Sequence, residues 1–335
     1  MTITYLHGDC RDVLRTLPDA SVNCCVTSPP YFGLRDYGVD GQIGLEPTPD
    51  AFVAEMVAVF REVRRVLRGD GTLWLNLGDS YSSGGNGAGH DGSKQRTNPG
   101  ANLPPKRTVG FGPKQLLGIP WRVAFALQAD GWYLRQDIIW SKPNPMPESV
   151  QDRCTKAHEY LFLLSKSARY HFDADSIAEA VAPSTVSRLA QDVASQEGSH
   201  RVPGKTNGAM KAVGRATDTY TAKAFSHPQS EPRGPASNFG TFERRNKRSV
   251  WTVATQSFKE AHFATFPPEL IEPCIKAGCP SGGMVLDPFG GAGTTGLVSD
   301  RLQRNAILIE LNPEYVGIAQ RRIADDAGMF GEVAA

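Results

Sequence analysis

The sequence predicts an α/β protein built on a mostly parallel sheet. Two observations lead to that class. Short apolar runs of β character alternate with stretches of helical periodicity along most of the chain. Near the C-terminal end, Gly291-Ala292-Gly293-Thr294-Thr295-Gly296 stands between such a run and such a helix. The 335 residues suffice for one large domain or two smaller ones, and at 40% hydrophobic they can bury a sizeable core.

Residues 3–6 form the first expected strand, ended by His7-Gly8-Asp9. Residues 22–26 are apolar enough to be buried on both faces. In residues 50–68, Phe52, Met56, Val59, Phe60, Val63, Val66 and Leu67 recur at helical spacing. Asp50 is the expected cap of that helix, and Gly69-Asp70-Gly71 its stop. A strand over 73–77, a helix over 120–129 stopped by Gly131, and strands over 132–140 and 160–164 follow. Pro267-Pro268 opens a helix through Lys276. Then come a strand at 284–286, a helix at 294–302, a strand at 306–309 and a last helix at 313–323. Trp74, Trp121 and Trp251 read as core residues. No internal repeat is evident.

Two segments interrupt this alternation. Residues 82–115 carry Lys94, Arg96, Lys106, Arg107 and Lys114 against Asp91 alone, a net +4. Residues 183–250 carry a net +6, leaving −9 on the remainder of a chain whose overall charge is only +1. Both are rich in Gly, Pro and polar residues without periodicity, so each is a functional loop or disordered. Basic inserts on an acidic body are what a polyanion partner requires. No apolar run reaches the roughly 18 residues of a membrane span, and the first residues show no secretory pattern. The six cysteines include no C-x-x-C, so neither a metal site nor a disulfide framework is expected, and a reducing cytosol is the simplest compartment.

The glycine-rich loop is preceded by Asp287-Pro288-Phe289 and followed by an acidic residue, Glu310, at the end of the next strand. A carboxylate there can accept both hydroxyl protons of a ribose. Asp287 could face an ammonium group, and Phe289 would lay a ring beside the ligand. A ligand with a ribose and an α-amino group is S-adenosylmethionine. A nicotinamide dinucleotide would instead want its pyrophosphate on the helix N-terminus. The second candidate site is Thr27-Ser28-Pro29-Pro30-Tyr31, directly after the apolar strand. Its prolines stiffen the backbone and remove two N–H donors. That leaves the Ser28 hydroxyl and the Pro29 carbonyl as acceptors and Tyr31 as a stacking face, a set suited to an amino group on a planar ring.

With these two motifs in this order, the sequence resembles the DNA amino-methyltransferases of the beta arrangement, in which an S-P-P-Y or D-P-P-Y loop precedes a D-P-F-x-G-x-G loop. The resemblance covers residues 3–81, 116–182 and 250–323. It implies a Rossmann-like, seven-stranded, circularly permuted sheet with one reversed strand and an inserted DNA-recognition region. It divides the chain into a catalytic half (1–182, with a DNA-contacting loop at 82–115), a target-recognition insert (183–250) and a cofactor-binding half (251–335). It implies S-adenosylmethionine as cofactor, double-stranded DNA as substrate and no metal. Ser28, Pro29, Pro30 and Tyr31 are the implied catalytic residues. Asp9, Cys10, Phe266, Asp287, Phe289, Gly291, Gly293, Thr294, Glu310 and Asn312 are the implied cofactor residues. The expected DNA contacts are Arg35, Lys94, Arg96, Lys106, Arg107, Lys142, Arg244, Arg245, Lys247 and Arg248. Trp140 to Asn144 and His158-Glu159 match motifs that shape the target-base pocket. A cytoplasmic enzyme, bacterial or phage-encoded and of the restriction-modification kind, is expected.

The target base stays open at this point. A serine at the first position of the loop leans toward cytosine N4, whereas the wider run T-S-P-P-Y-F-G-L-R-D-Y-G resembles adenine enzymes, and the balance tips slightly to adenine N6. A methyltransferase of RNA or protein amide nitrogen and a nicotinamide oxidoreductase are the remote alternatives. A homodimer is expected, with Phe52, Val53, Val57 and Phe60 offering apolar surface beyond one core-facing stripe.

Overall fold

In a computed structural model, residues 1–34, 38–82, 110–182, 244–256, 266–327 and 333–334 are described. Arg35, Lys94, Arg96, Lys106 and Arg107, with most of the two basic segments, lie outside them. The chain divides into two compact units, one formed by residues 1–177 and 248–335, the other by 178–247.

The larger unit holds a sheet whose strands are β1 (Ile3–His7), β2 (Val22–Thr27), β3 (Leu67–Leu77), β4 (Tyr133–Ser141) and β5 (His158–Ser165). In the smaller unit, β6 (Glu179–Ala180) pairs antiparallel with β7 (Arg244–Arg245). The sheet is completed by β8 (Val250–Thr252), β9 (Met284–Asp287), β10 (Asn305–Glu310) and β11 (Val333–Ala334). Its order is β11-β1-β10-β9-β2-β3-β5-β4-β8. The expected seven strands thus gain two short edge pieces, β8 on β4 and β11 on β1. Only β5 runs against the others, pairing antiparallel with both β3 and β4.

Helices α1 (Cys10–Thr16), α2 (Pro49–Val66) and α3 (Ile119–Ala129) cover one face. On the other lie α4 (Pro268–Gly278), α5 (Thr294–Arg301) and α6 (Pro313–Ala327). The pleat of β3 serves both layers: Leu73 and Leu75 pack with α2, Trp74 with α4. Trp74 and Trp251 are buried as expected, and Trp121 is half-buried, packing edge-on against Phe162.

Several expectations change. Helix α2 is capped by Thr48, whose hydroxyl accepts from the Ala51 amide at 3.1 Å; Asp50 lies inside the first turn. Gly69-Asp70-Gly71 does not form a separate stop. The chain passes directly from α2 into β3, and the glycines lie in an irregularity where Val22 pairs with Leu67 but Cys24 pairs with Thr72. Helix α1 is an addition to the expected elements: seven residues are too few to show a period, although Asp9 caps it from its side chain. Finally, Phe52 and Phe60 are fully buried, and Val53 and Val57 pack against the same core. Phe52 and Phe60 of the wide apolar band thus face the core, and Val53 and Val57 stay partly exposed beside it.

Candidate active site

Strands β9 and β2 are neighbours at the centre of the sheet although roughly 260 residues separate them in sequence. From this point β10 and β1 extend to one side and β3 to the other. At the carboxyl end of such a reversal the loops diverge and leave a crevice. A cleft of about 1080 Å³, partly open to solvent, occupies it. Asp9, Cys10, Ser28, Pro30, Phe266, Asp287, Phe289, Gly291, Thr294, Glu310 and Asn312 all line it. The expected cofactor residues are thus gathered from separate stretches of chain. Gly293 is the exception, because it packs behind the loop. Its φ is +76°, and a Cβ there would stand 2.7 Å from that of Ala319, so it lets α5 approach α6.

Asp287 ends β9 fully buried. Its carboxylate accepts from the hydroxyls of Thr27 and Thr295, both at 2.6 Å, and from the Phe289 amide at 3.0 Å. These bonds tie the strand of the Ser-Pro-Pro-Tyr loop to the glycine-rich loop. Burial is the main reason that its pKa is pushed up to about 6. Glu310 ends β10, and its two oxygens accept from the amides of Gly291 and Asn312, each at 2.8 Å. Burial raises its pKa too. Held by backbone donors, each Glu310 oxygen keeps a further acceptor direction for a ligand hydroxyl. Asn312 directs its own side-chain oxygen to the Glu314 amide, at the start of α6.

Among the described residues lining the cleft are three carboxylates, Asp9, Asp287 and Glu310, and no Lys or Arg. Asp9 is paired with Arg11, and among the described residues the other two carboxylates have no basic partner within 4 Å. A cationic sulfonium with an ammonium group fits that set; a pyrophosphate does not. Val39, Ile43, Ile309 and Leu311 supply apolar walls to the same cleft as Glu310, suited to a purine ring.

The Ser-Pro-Pro-Tyr loop is anchored from behind. Ser28 Oγ donates to the Tyr31 hydroxyl at 3.4 Å, and that hydroxyl donates to Glu159 Oε2 at 2.7 Å, with Asn76 Oδ1 at 3.1 Å. Lys142 pairs with the other oxygen of Glu159, its ammonium 4.1 Å from the centre of the Trp140 ring. Lys142 thus stands behind Glu159 and Tyr31, its side chain only 16% exposed. Gly78 makes this packing possible, since a Cβ there would collide with Cε2 and Cδ2 of the Tyr31 ring. Sequence reading missed Asn76 and Gly78 as functional positions, and it holds Glu159 only as part of a motif. Pro29 is buried and, like Tyr31, does not line the cofactor cleft.

Arg244 and Arg245 form β7. Arg245 and Lys247 both lie within ion-pair distance of Glu179, at 3.4 and 3.9 Å, so one carboxylate faces two cations there. Arg248 accepts, through its carbonyl, from the Trp251 indole at 2.6 Å. Among the described residues no group of three or more His, Cys, Asp or Glu is placed to hold a metal, and no helix is long and apolar enough to cross a membrane. Cys10, in the cleft wall, has its thiol pushed up to about 12 by burial, which leaves it a neutral thiol and a poor nucleophile.

Residues 22–321 match the DNA methylase family of N6 and N4 enzymes. The chain is 46% identical to the type II methyltransferase M.XycI of Xanthomonas campestris pv. cyanopsidis over 96% of its length and 87% of that protein's. It is 44% identical to M.Cfr9I of Citrobacter freundii with the same coverage. In fold it is similar to the cytosine-N4-specific PvuII DNA methyltransferase, with a TM-score of 0.60 at 18% identity, covering 97% of this chain and 88% of that one. It is also similar to a DNA modification methylase structure from Thermus thermophilus complexed with S-adenosyl-L-methionine, with a TM-score of 0.56 at 22% identity, covering 98% and 96%. With that match and a cleft built for a ribose-bearing cation, the chain belongs to the DNA methylase family of S-adenosylmethionine-dependent amino-methyltransferases.

Proposed function

We propose that this enzyme methylates the N4 amino group of a cytosine flipped out of duplex DNA, at a specific site, as the modification partner in a type II system. The observation that carries the reading is that Ser28 lines the same cleft as Glu310 and Asp287. The acceptor for an amino group and the groups suited to a methyl donor therefore share one space. A base inside a duplex hides its amino group in the stack, so it must leave the helix to reach this cleft.

S-adenosylmethionine supplies an electrophilic methyl group. Glu310 binds by accepting ribose hydroxyls, and Asp287 contributes negative charge. Ser28 Oγ donates its own proton to Tyr31 and so presents its lone pairs to the base. An amino proton accepted there draws the nitrogen lone pair out of conjugation with the ring, which makes that nitrogen the nucleophile. Tyr31, fixed by Glu159 and Gly78, provides the ring on which the base rests. Positioning and placed acceptors carry the rate, with no covalent intermediate on the protein.

Two observations favour cytosine over the adenine toward which the sequence leans. Position 28 is serine, which in the family leans to cytosine. The PvuII enzyme, described as cytosine-N4-specific, is similar to this chain over nearly all its length. The adenine preference rests on the run Phe32 to Gly38 after Tyr31.

The test is to incubate purified protein with duplex DNA and labelled S-adenosylmethionine, then digest the DNA to nucleosides. N4-methylcytosine is expected. N6-methyladenine would reassign the base, and label found only in RNA or protein would remove the reading.

A further inference from the structure

The connection between β4 and β5, residues 142–157, springs from the carboxyl end of β4, the same end of the sheet as the cleft. Its root touches the catalytic loop through Lys142, Glu159 and Tyr31. The Lys142 amide donates to the Ala157 carbonyl at 2.8 Å and closes that root. Asn144 exchanges two hydrogen bonds with the Thr255 backbone, at 2.9 and 3.2 Å. On the return limb, Arg153 grips Glu148 with two bonds, at 2.7 and 3.1 Å, and lies 4.1 Å from the Tyr81 ring centre. Between these two clamps stands Pro145-Met146-Pro147.

Met146 is 86% exposed, well above the next large apolar side chain among the described residues, Val250 at 58%. A single exposed apolar residue is ordinary. This one stands between the two clamps of its connection, and the prolines flanking it restrict the backbone and have no amide proton. Its two neighbours thus add no backbone donor beside it. An unbranched, polarizable side chain on a stiff support is suited to slide between stacked bases.

We propose that Met146 is the wedge that enters the DNA duplex beside the target base and fills the gap left when that base turns out. The proposal rests on the flipped-base reading above. A wedge acts before chemistry: it offsets the unstacking and unpairing that keep the base in the helix. Its value must therefore vanish when the target base is already unpaired.

The experiment uses the full chain and a duplex carrying the site located by mapping methylated DNA from cells that express the protein. The same duplex is also made with an abasic position opposite the target base. Met146→Ala is expected to lower single-turnover methylation of the paired duplex by at least about tenfold. On the unpaired target it should approach the wild-type rate, and Met146→Leu should keep most activity on both. S-adenosylmethionine binding by calorimetry should be unchanged, which verifies folding. Wild-type rates for Met146→Ala on the paired duplex would overturn the proposal, as would an equal loss on both duplexes. If the wild-type enzyme methylates neither duplex at an exocyclic amino group, the underlying flipped-base reading fails instead.

Discussion

Tyr31 shows how a side chain's chemistry is set by residues far from it in sequence. Its hydroxyl is spent on Glu159 and its ring rests against Gly78, so its orientation is fixed before any base arrives. Glu159 does not line the cofactor cleft. Glu159→Gln should therefore lower kcat with little change in cofactor affinity, by a factor of about ten, as the loss of one charge-assisted hydrogen bond implies. Tyr31→Phe should act in the same direction more weakly. The double variant should lose less than the sum of the two, because both remove one bond; strict additivity in a transfer assay would show that the bond does not orient the ring. Asp287 behaves differently. Its folded-state pKa, raised to about 6, lies above the ordinary carboxylate value. Between those two values the folded protein binds more protons than the unfolded one, so stability falls as pH rises through that window. The burial of this charge costs on the order of 3 kcal/mol at neutral pH. Asp287→Asn should raise the cofactor-free melting temperature at neutral pH, with the gain shrinking toward pH 4, while cofactor binding weakens. For the native enzyme, cofactor affinity should fall as pH drops below about 6, where the carboxylate loses its charge. Calorimetric titration across that range checks the sign.

At the scale of elements, α2 and β3 carry most of the frame. Helix α2 begins at a threonine cap and ends in Leu67 without an intervening loop, so its position fixes where β3 starts. Phe60→Ala should destabilise the protein by about 3–5 kcal/mol through the cavity it leaves. Thr48→Ala should cost about 1 kcal/mol through a lost cap bond. Neither should alter the sedimentation of the folded protein, because Phe60 is fully buried within the chain. A change in apparent mass with Phe60→Ala in the folded state would mean that α2 does form a self-association surface. The apolar positions of α2 are legible in sequence because a helix repeats its buried stripe every three to four residues. Its cap is not, since Thr48 and Asp50 are both good caps and only backbone geometry separates them. Helix α1 and the edge strands β8 and β11 are too short to carry a period at all.

For the whole molecule, charge is the property with the longest reach. The two basic segments carry a net +10 against −9 on the rest of the chain. The part of them that is described, around β7, places Arg245 and Lys247 on a single carboxylate, Glu179. A net positive charge on these segments favours polyanion binding. Replacing Arg244, Arg245, Lys247 and Arg248 by glutamine should weaken DNA binding and flatten its dependence on salt, each lost phosphate contact lowering the logarithmic slope by about one. Binding isotherms across a salt series measure it, and an unchanged slope would show that the cluster faces only solvent.

The sequence by itself determined the alternation of strands and helices, the two loops that carry the chemistry and the carboxylate at the end of β10. Each of these is local, a matter of periodicity, proline and glycine content, or spacing within about thirty residues. Only the tertiary structure decided that Thr27 and Thr295 hold Asp287, and that Gly293 lies against Ala319 of α6. It also paired Lys142 with Glu159, and buried Phe52 and Phe60 of α2 against the sheet. The physical reason is common to all four. A side chain's partner is set by which strands become neighbours, and here β9 lies beside β2 across roughly 260 residues of chain, a distance over which no local pattern carries information.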